Sequence, residues 1–182
     1  KFSLELFEII FPQFKNFKLF SNPNGFAKTK IEESDFIFLL SVLIIDKTDN
    51  ADYFIYKFNI SKKDQKRLKI IDDFYKDKIT SKSFSENNLN KIFYYKGKQA
   101  VDDILSFKIF TSRKIDKNIL KIIEQFQSKD LPTMPVGAKF LMEKYQIQEG
   151  KSLGAKLRNI EEEWVDNNFK LSEKQIDKII NS

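Results

Sequence analysis

The 182-residue sequence contains no cysteine and no histidine. These two absences exclude disulfides, zinc sites built from thiolates and imidazoles, thiol nucleophiles and imidazole acid–base catalysis. A chain of this composition is compatible with a cytoplasmic location. The longest apolar run, residues 36–45, is interrupted by Ser41. It is far shorter than the roughly 20 residues that span a bilayer, so we expect no membrane segment.

The sequence also lacks a recognisable amino-terminal signal. It begins with Lys1 rather than methionine, and no basic region with a cleavage site precedes Phe2. We therefore expect a part of a longer protein and no signal peptide.

Glycine and proline are few, with five and four residues, whereas hydrophobic residues make up 41% and phenylalanine alone contributes 19. This composition is typical of a globular chain. Apolar residues recur at helical spacing, and capping signals at Ser61, Asp116 and Ser172 precede three of the periodic segments. The apolar run 36–45 would also suit a buried strand, but no neighbouring strand pattern accompanies it. The sequence therefore predicts an all-α fold of eight to ten helices with short connections.

Most of the turn signals lie between Leu131 and Leu171. Pro132 and Pro135 favour an extended entry, and Gly150 suits a turn with positive φ. Gly154 lies at a helix start where a side chain would block a close approach. Leu153, Leu157, Ile160 and Trp164 then form one apolar stripe, which predicts a core position for Trp164. We therefore divide the chain into a helical body, residues 1–130, and a C-terminal helical tail, residues 131–182, packed on the body.

The tail contains an ordered set of motifs: Pro135-x-Gly137, Phe140-Leu141, Ile147-x-x-Gly150-x-x-Leu153-Gly154-x-x-Leu157, Glu162-x-Trp164 and Phe169-x-Leu171-Ser172. This order resembles the C-terminal end of bacterial CCA-adding enzymes, the tRNA nucleotidyltransferases of the poly(A) polymerase-like superfamily. Residues 58–64 and 90–97 resemble upstream family segments, so the likeness covers roughly residues 35–180. The sequence departs from the family at Lys139, Gln146 and Glu149, where an acid, glycine and proline are usual.

The resemblance implies that the intact protein adds C, C and A to tRNA 3′ ends from CTP and ATP with Mg²⁺. The family's catalytic head uses a Gly-Ser loop and an Asp-x-Asp pair, and its neck uses Glu-Asp-x-x-Arg. None of these motifs occurs here. We therefore expect this chain alone to be inactive, to hold no cofactor and to bind tRNA for a catalytic head supplied in cis or in trans.

Two sets of residues are the candidate tRNA contacts. From Leu131 onward eight basic and eight acidic residues balance, so the net charge of +6 comes from residues 1–130. The densest cluster of basic residues in this part of the chain is Lys62, Lys63, Lys66 and Arg67, at the start of a predicted helix. The second set is Gly150, Lys151, Ser152 and Gly154, where free amides at a helix start would suit a phosphate. In the competing interpretation of the first set, the lysines are solvated surface residues without a partner molecule. In that of the second set, Gly150 and Gly154 have structural roles only.

Other polar and aromatic residues favour structural roles. The carboxylate pairs Asp72-Asp73 and Asp102-Asp103 are interpreted as solvated helix faces, because neighbouring residues point about 100° apart on a helix. Tyr94 and Tyr95 could stack on bases, but core positions are commoner for such spacing.

Two other functions remain open, and the oligomeric state is not indicated. The chain could be an independent helical module that binds another protein, or a decayed remnant of the enzyme without tRNA affinity.

Overall fold

The structure is a computed structural model that describes residues 6, 9–21, 23–33, 35–112 and 115–181. Within these ranges it contains eleven α-helices, one 3₁₀ helix and no strand, so the predicted all-α class is confirmed. The α-helices are α1 (Lys18–Ser21), α2 (Gly25–Glu33), α3 (Phe36–Ile44), α4 (Asn50–Phe58), α5 (Lys62–Lys76), α6 (Glu86–Lys96), α7 (Lys98–Thr111), α8 (Lys117–Ser128), α9 (Ala138–Tyr145), α10 (Lys151–Asp166) and α11 (Glu173–Ile180). The 3₁₀ helix, Ser81–Phe84, precedes α6. The ambiguous apolar run is helical over Phe36–Ile44, as predicted, and Ile45 is the C-cap residue.

The three predicted caps are present. The Oγ atom of Ser61 accepts a hydrogen bond from the Asp64 N–H, and the Asp116 carboxylate accepts one from the Asn118 N–H. Ser172 forms a full capping box with Gln175. Each cap satisfies an amide that the helix geometry leaves without an intrahelical partner, which explains why these helices begin where they do.

The chain forms two compact units. The first unit contains residues 1–79 and 98–129. Its helix α5 packs against α3, α4 and α7, and α8 packs against α7. The fully buried side chains of this unit include Val42, Ile44, Leu68, Ile71 and Leu105.

The second unit contains residues 80–97 and 130–182. Helix α10 packs against α6, α9 and α11. Its buried core consists of Val136, Leu141, Leu153, Ile160 and Ile176. The division at 130/131 expected from the sequence therefore differs from the structure, which groups α6 with the C-terminal helices.

None of the helices within the described ranges combines the length and the apolar character that a membrane crossing needs.

Candidate nucleic-acid interface

The first two turns of α5 present a cluster of exposed lysines in the first unit. The Ser61 hydroxyl accepts from the Asp64 N–H at 3.2 Å and donates to the Asp64 carboxylate at 2.6 Å, which fixes the start of the helix. Lys62, Lys63 and Lys66 are exposed. We call these three residues the α5 lysine cluster.

The position of the α5 lysine cluster is electrostatically unusual. The amino end of a helix carries a partial positive charge, so cations there are unfavourable for the helix itself. Asp64 is the one acidic residue in the first turn of α5. Within the described part of the chain, no carboxylate forms an ion pair with any member of the cluster. The ammonium groups and the partial positive charge of the helix end therefore form one positive surface.

Arg67 follows the lysine cluster in sequence but does not share its environment. Its Nε and Nη2 atoms donate to the two oxygens of Asp103 at 2.7 and 2.8 Å, and Nη1 donates to Asp35 at 2.6 Å. The hydrogen bond to Asp103 raises the pKa of Arg67, while burial opposes the shift. The guanidinium is thus occupied by two carboxylates within the fold, unlike the free group that the sequence-based grouping assumed.

Asp35 and Asp103, the two carboxylates that contact Arg67, also accept other hydrogen bonds. Burial disfavours the charged form of Asp35, but hydrogen bonds from Arg67 and from the Phe38 N–H outweigh it and lower the pKa of Asp35. Asp103 is only 1% exposed and accepts a further hydrogen bond from Gln99. This network holds α5 against α7 and against the start of α3.

A second ion network fixes the direction of α4 relative to α5. Asp52, near the start of α4, forms ion pairs with Lys69 and Lys76 in the second half of α5. Because the connection between the helices is only residues 59–61, these ion pairs show that α4 and α5 form an antiparallel hairpin. Hydrogen bonds from Lys69 and Lys76 lower the pKa of Asp52, with burial opposing them.

The interpretation of both carboxylate pairs as solvated helix faces is wrong for one member of each pair. Asp72 and Asp103 are each 1% exposed. Lys76 Nζ lies 2.7 Å from the Asp72 carboxylate, and burial raises the pKa of Asp72. Asp73 is exposed, as expected, and Asp102 forms an ion pair with Lys30 at 3.1 Å. The buried members are compensated by cations, which the cost of burying a charge requires.

The second predicted set, Gly150, Lys151, Ser152 and Gly154, forms the start of α10 in the second unit. Gly150 is the N-cap residue with φ 153°, which agrees with the predicted turn, and no side chain caps this end. Lys151 and Ser152 are exposed. The amides of the first turn are therefore available to a phosphate, as the sequence suggested.

Gly154 does not have the role that the sequence suggested. A Cβ atom at Gly154 would meet nothing within 4 Å, so no close approach requires glycine there. The prediction that a side chain at this position would block a close approach is wrong, because Gly154 lies on an exposed face of α10.

Trp164 is 3% exposed, which confirms its predicted core position. Tyr94 is half-buried and donates a hydrogen bond to the Glu161 carboxylate at 2.6 Å. Burial and this hydrogen bond raise the pKa of Tyr94 to about 12. Tyr95 is 51% exposed.

The sequence reasoning missed two exposed aromatic residues, Tyr53 and Tyr56. Tyr53 is 51% and Tyr56 is 86% exposed, both on α4. They lie opposite the buried residues Ala51, Phe54 and Ile55 of the same helix, and a helical projection of α4 could have identified them.

The described residues contain no group of three or more acidic side chains placed to hold a metal ion. In the comparisons with known proteins, the chain matches no family model and has no significant match among curated proteins.

Proposed function

We propose that this chain is the tRNA-binding C-terminal part of a CCA-adding tRNA nucleotidyltransferase, which positions tRNA for a catalytic head. The observation that carries the proposal is the α5 lysine cluster, Lys62, Lys63 and Lys66, exposed at a helix amino end without carboxylate partners among the described residues. Such a surface suits a phosphate backbone, where contacts position the nucleic acid and specify little of its sequence.

A detail of α9 also supports the resemblance to this family. Gln146 occupies a position where the family often has glycine, and its backbone has φ 55° in the left-handed region. Glycine adopts this conformation without strain, so the fold keeps the geometry that the family residue favours. The Gln146 side chain donates to the Glu143 carbonyl at 3.0 Å, which offsets part of the cost.

The start of α10 would supply a smaller second contact. Lys151 offers one ammonium group beside uncapped helix amides. Since the amides belong to the backbone, they would remain in a Lys151→Gln variant, and we expect a smaller loss of affinity than from the α5 lysine cluster.

The test is a titration of tRNA at two salt concentrations with the triple variant Lys62→Gln, Lys63→Gln, Lys66→Gln. Each phosphate contact contributes about −0.7 to −0.9 to the slope of log affinity against log salt. The variant should therefore bind every tRNA more weakly and flatten that slope by about two to three units. Arg67 is left unchanged, because its removal would break the Asp103 and Asp35 contacts.

A matched control removes the same charge elsewhere in the first unit. Lys15, Lys28 and Lys121 are exposed and lie on three separate segments. Their triple glutamine variant should keep most of the affinity and nearly the parent slope. If both triple variants lose affinity equally, only net charge matters; if neither loses any, the α5 lysine cluster does not bind RNA.

The alternative of a protein-interaction module would need a broad apolar surface without a basic face. The α5 lysine cluster argues against it. Large exposed apolar residues occur in both units, and more of them, such as Phe36 and Tyr56, lie in the first.

A further inference from the structure

Helix α4, which precedes the α5 lysine cluster in the chain, exposes two tyrosines. Tyr56 is 86% and Tyr53 is 51% exposed, although each carries a large aromatic ring. They are three residues apart, so they are neighbours on the surface of α4. The ammonium group of Lys57 lies 5.9 Å from the ring centroid of Tyr53.

The ion pairs of Asp52 place Tyr56 on the same side of the hairpin as the lysines. Tyr56 follows Asp52 by four residues, so it lies on the face of α4 that meets Lys69, one turn nearer the connection. On α5, Lys62, Lys66 and Lys69 have the spacing of one helical face. The hairpin is antiparallel, so a residue one turn nearer the connection on α4 lies level with the part of α5 that precedes Lys69. Lys66 and Lys62 lie in that part of α5.

One of the two acidic groups near this surface is neutralised by ion pairs. Asp52 is paired with Lys69 and Lys76. Among the described residues, Asp64 accepts only from the neutral Ser61 hydroxyl and keeps its charge, but the three lysines of the α5 lysine cluster outnumber it. The surface therefore combines two exposed aromatic rings with positive charge, and Lys57 lies over one face of the Tyr53 ring. We name it the tyrosine–lysine surface and define it as Tyr53, Tyr56, Lys62 and Lys66.

We infer that the tyrosine–lysine surface binds unpaired nucleotides of RNA, with bases stacked on Tyr56 and Tyr53 and phosphates on Lys62 and Lys66. This inference rests on the proposed RNA binding and names the part of the RNA that this surface takes. Exposed aromatic faces next to a positive surface are the features that bind single strands, since every base offers a face for stacking. A continuous duplex hides its base faces within the helix stack, so it can use the lysines and not the tyrosines.

The experiment measures binding of the full chain to an oligouridylate of about twelve nucleotides, a length within the usual footprint of a single-strand site. An RNA duplex of equal length is measured in parallel. The double variant Tyr53→Ala, Tyr56→Ala removes both rings, and Tyr53→Phe, Tyr56→Phe retains them. Both tyrosine side chains are exposed, and circular dichroism verifies that each variant keeps its helices.

The alanine variant should bind the single strand about tenfold more weakly or worse, which corresponds to the loss of base stacking. The phenylalanine variant should stay within about threefold of the parent, because stacking needs the ring and not the hydroxyl. Neither variant should change the salt slope or the affinity for the duplex.

The outcomes separate this inference from the proposed function. If the alanine variant binds the single strand as tightly as the parent, or loses affinity for the duplex equally, the inference is overturned. If the lysine variants still flatten the salt slope in that case, the proposed RNA binding stands. If the parent binds neither RNA, both fail, and a protein partner becomes the occupant to seek for this aromatic face.

Discussion

Lys66 and Arg67 are adjacent in the sequence, yet the fold uses their charges differently. Lys66 is exposed, whereas Arg67 spans Asp103 and Asp35 with three charged hydrogen bonds. Arginine suits this position because its planar group matches a carboxylate with two parallel bonds. At the residue scale, a cluster of basic residues therefore divides into a structural cation and a set of free cations.

The residue-scale prediction concerns Asp103, the buried partner of Arg67. Asp103→Asn should lower the free energy of unfolding by about 2–4 kcal/mol, because an amide NH₂ replaces one acceptor and leaves the guanidinium poorly compensated. Chemical denaturation monitored by circular dichroism measures this change.

The matched control is Asp73→Asn, which removes the same charge from an exposed carboxylate on α5. Its effect should stay within about 0.5 kcal/mol, as for most surface substitutions. Equal losses for the two variants would show that the Arg67–Asp103 contact contributes little beyond its charge.

At the element scale, helix ends were the most predictable features. Ser61, Asp116 and Ser172 each accept a hydrogen bond from an amide two or three residues further along the chain. Helix α6 ends at Lys96, directly before Gly97, a residue type that is common at helix ends. These signals are local, so the sequence contains them in full. The burial of Asp103 depends on Arg67, which is 36 residues away, and no local pattern encodes that distance.

The element-scale prediction compares the two glycines at the start of α10. Gly150→Ala should destabilise the protein by at least about 1 kcal/mol, because φ 153° is strained for a residue with a Cβ atom. Gly154→Ala should stabilise it by about 0.5–1 kcal/mol, because the site is helical and open. Thermal unfolding of the two variants gives opposite shifts.

The two glycine variants act as controls for each other, since each adds one methyl group four residues from the other. A loss of stability for Gly154→Ala would restore the idea of a close approach at that position. A neutral Gly150→Ala would mean that the turn before α10 accepts another backbone conformation at little cost.

At the scale of the whole molecule, the second unit is assembled from segments that are far apart in sequence. Residues 80–97 join residues 130–182, while α7 and α8 between them belong to the first unit. Tyr94 of α6 contacts Trp164 and Phe169, with ring centroids 5.4 and 6.0 Å apart. The sequence placed Trp164 in a core correctly, but helical spacing identifies a buried face and not its partner. The grouping of α6 with the C-terminal helices therefore escaped prediction.

The prediction at this scale uses Trp164, the single tryptophan of the chain, as a reporter of the second unit. Tyr94→Ala should shift the Trp164 emission to longer wavelength and destabilise the unit by about 2 kcal/mol, because a ring contact and the hydrogen bond to Glu161 are both lost. Tyr94→Phe should keep the emission and cost about 1 kcal/mol, since only the hydrogen bond is removed. Tyr95→Ala is the neighbouring control and should have the smaller effect, because Tyr95 is 51% exposed. An unchanged emission in Tyr94→Ala would mean that α6 does not cover Trp164, and the C-terminal helices would then form their core without residues 80–97.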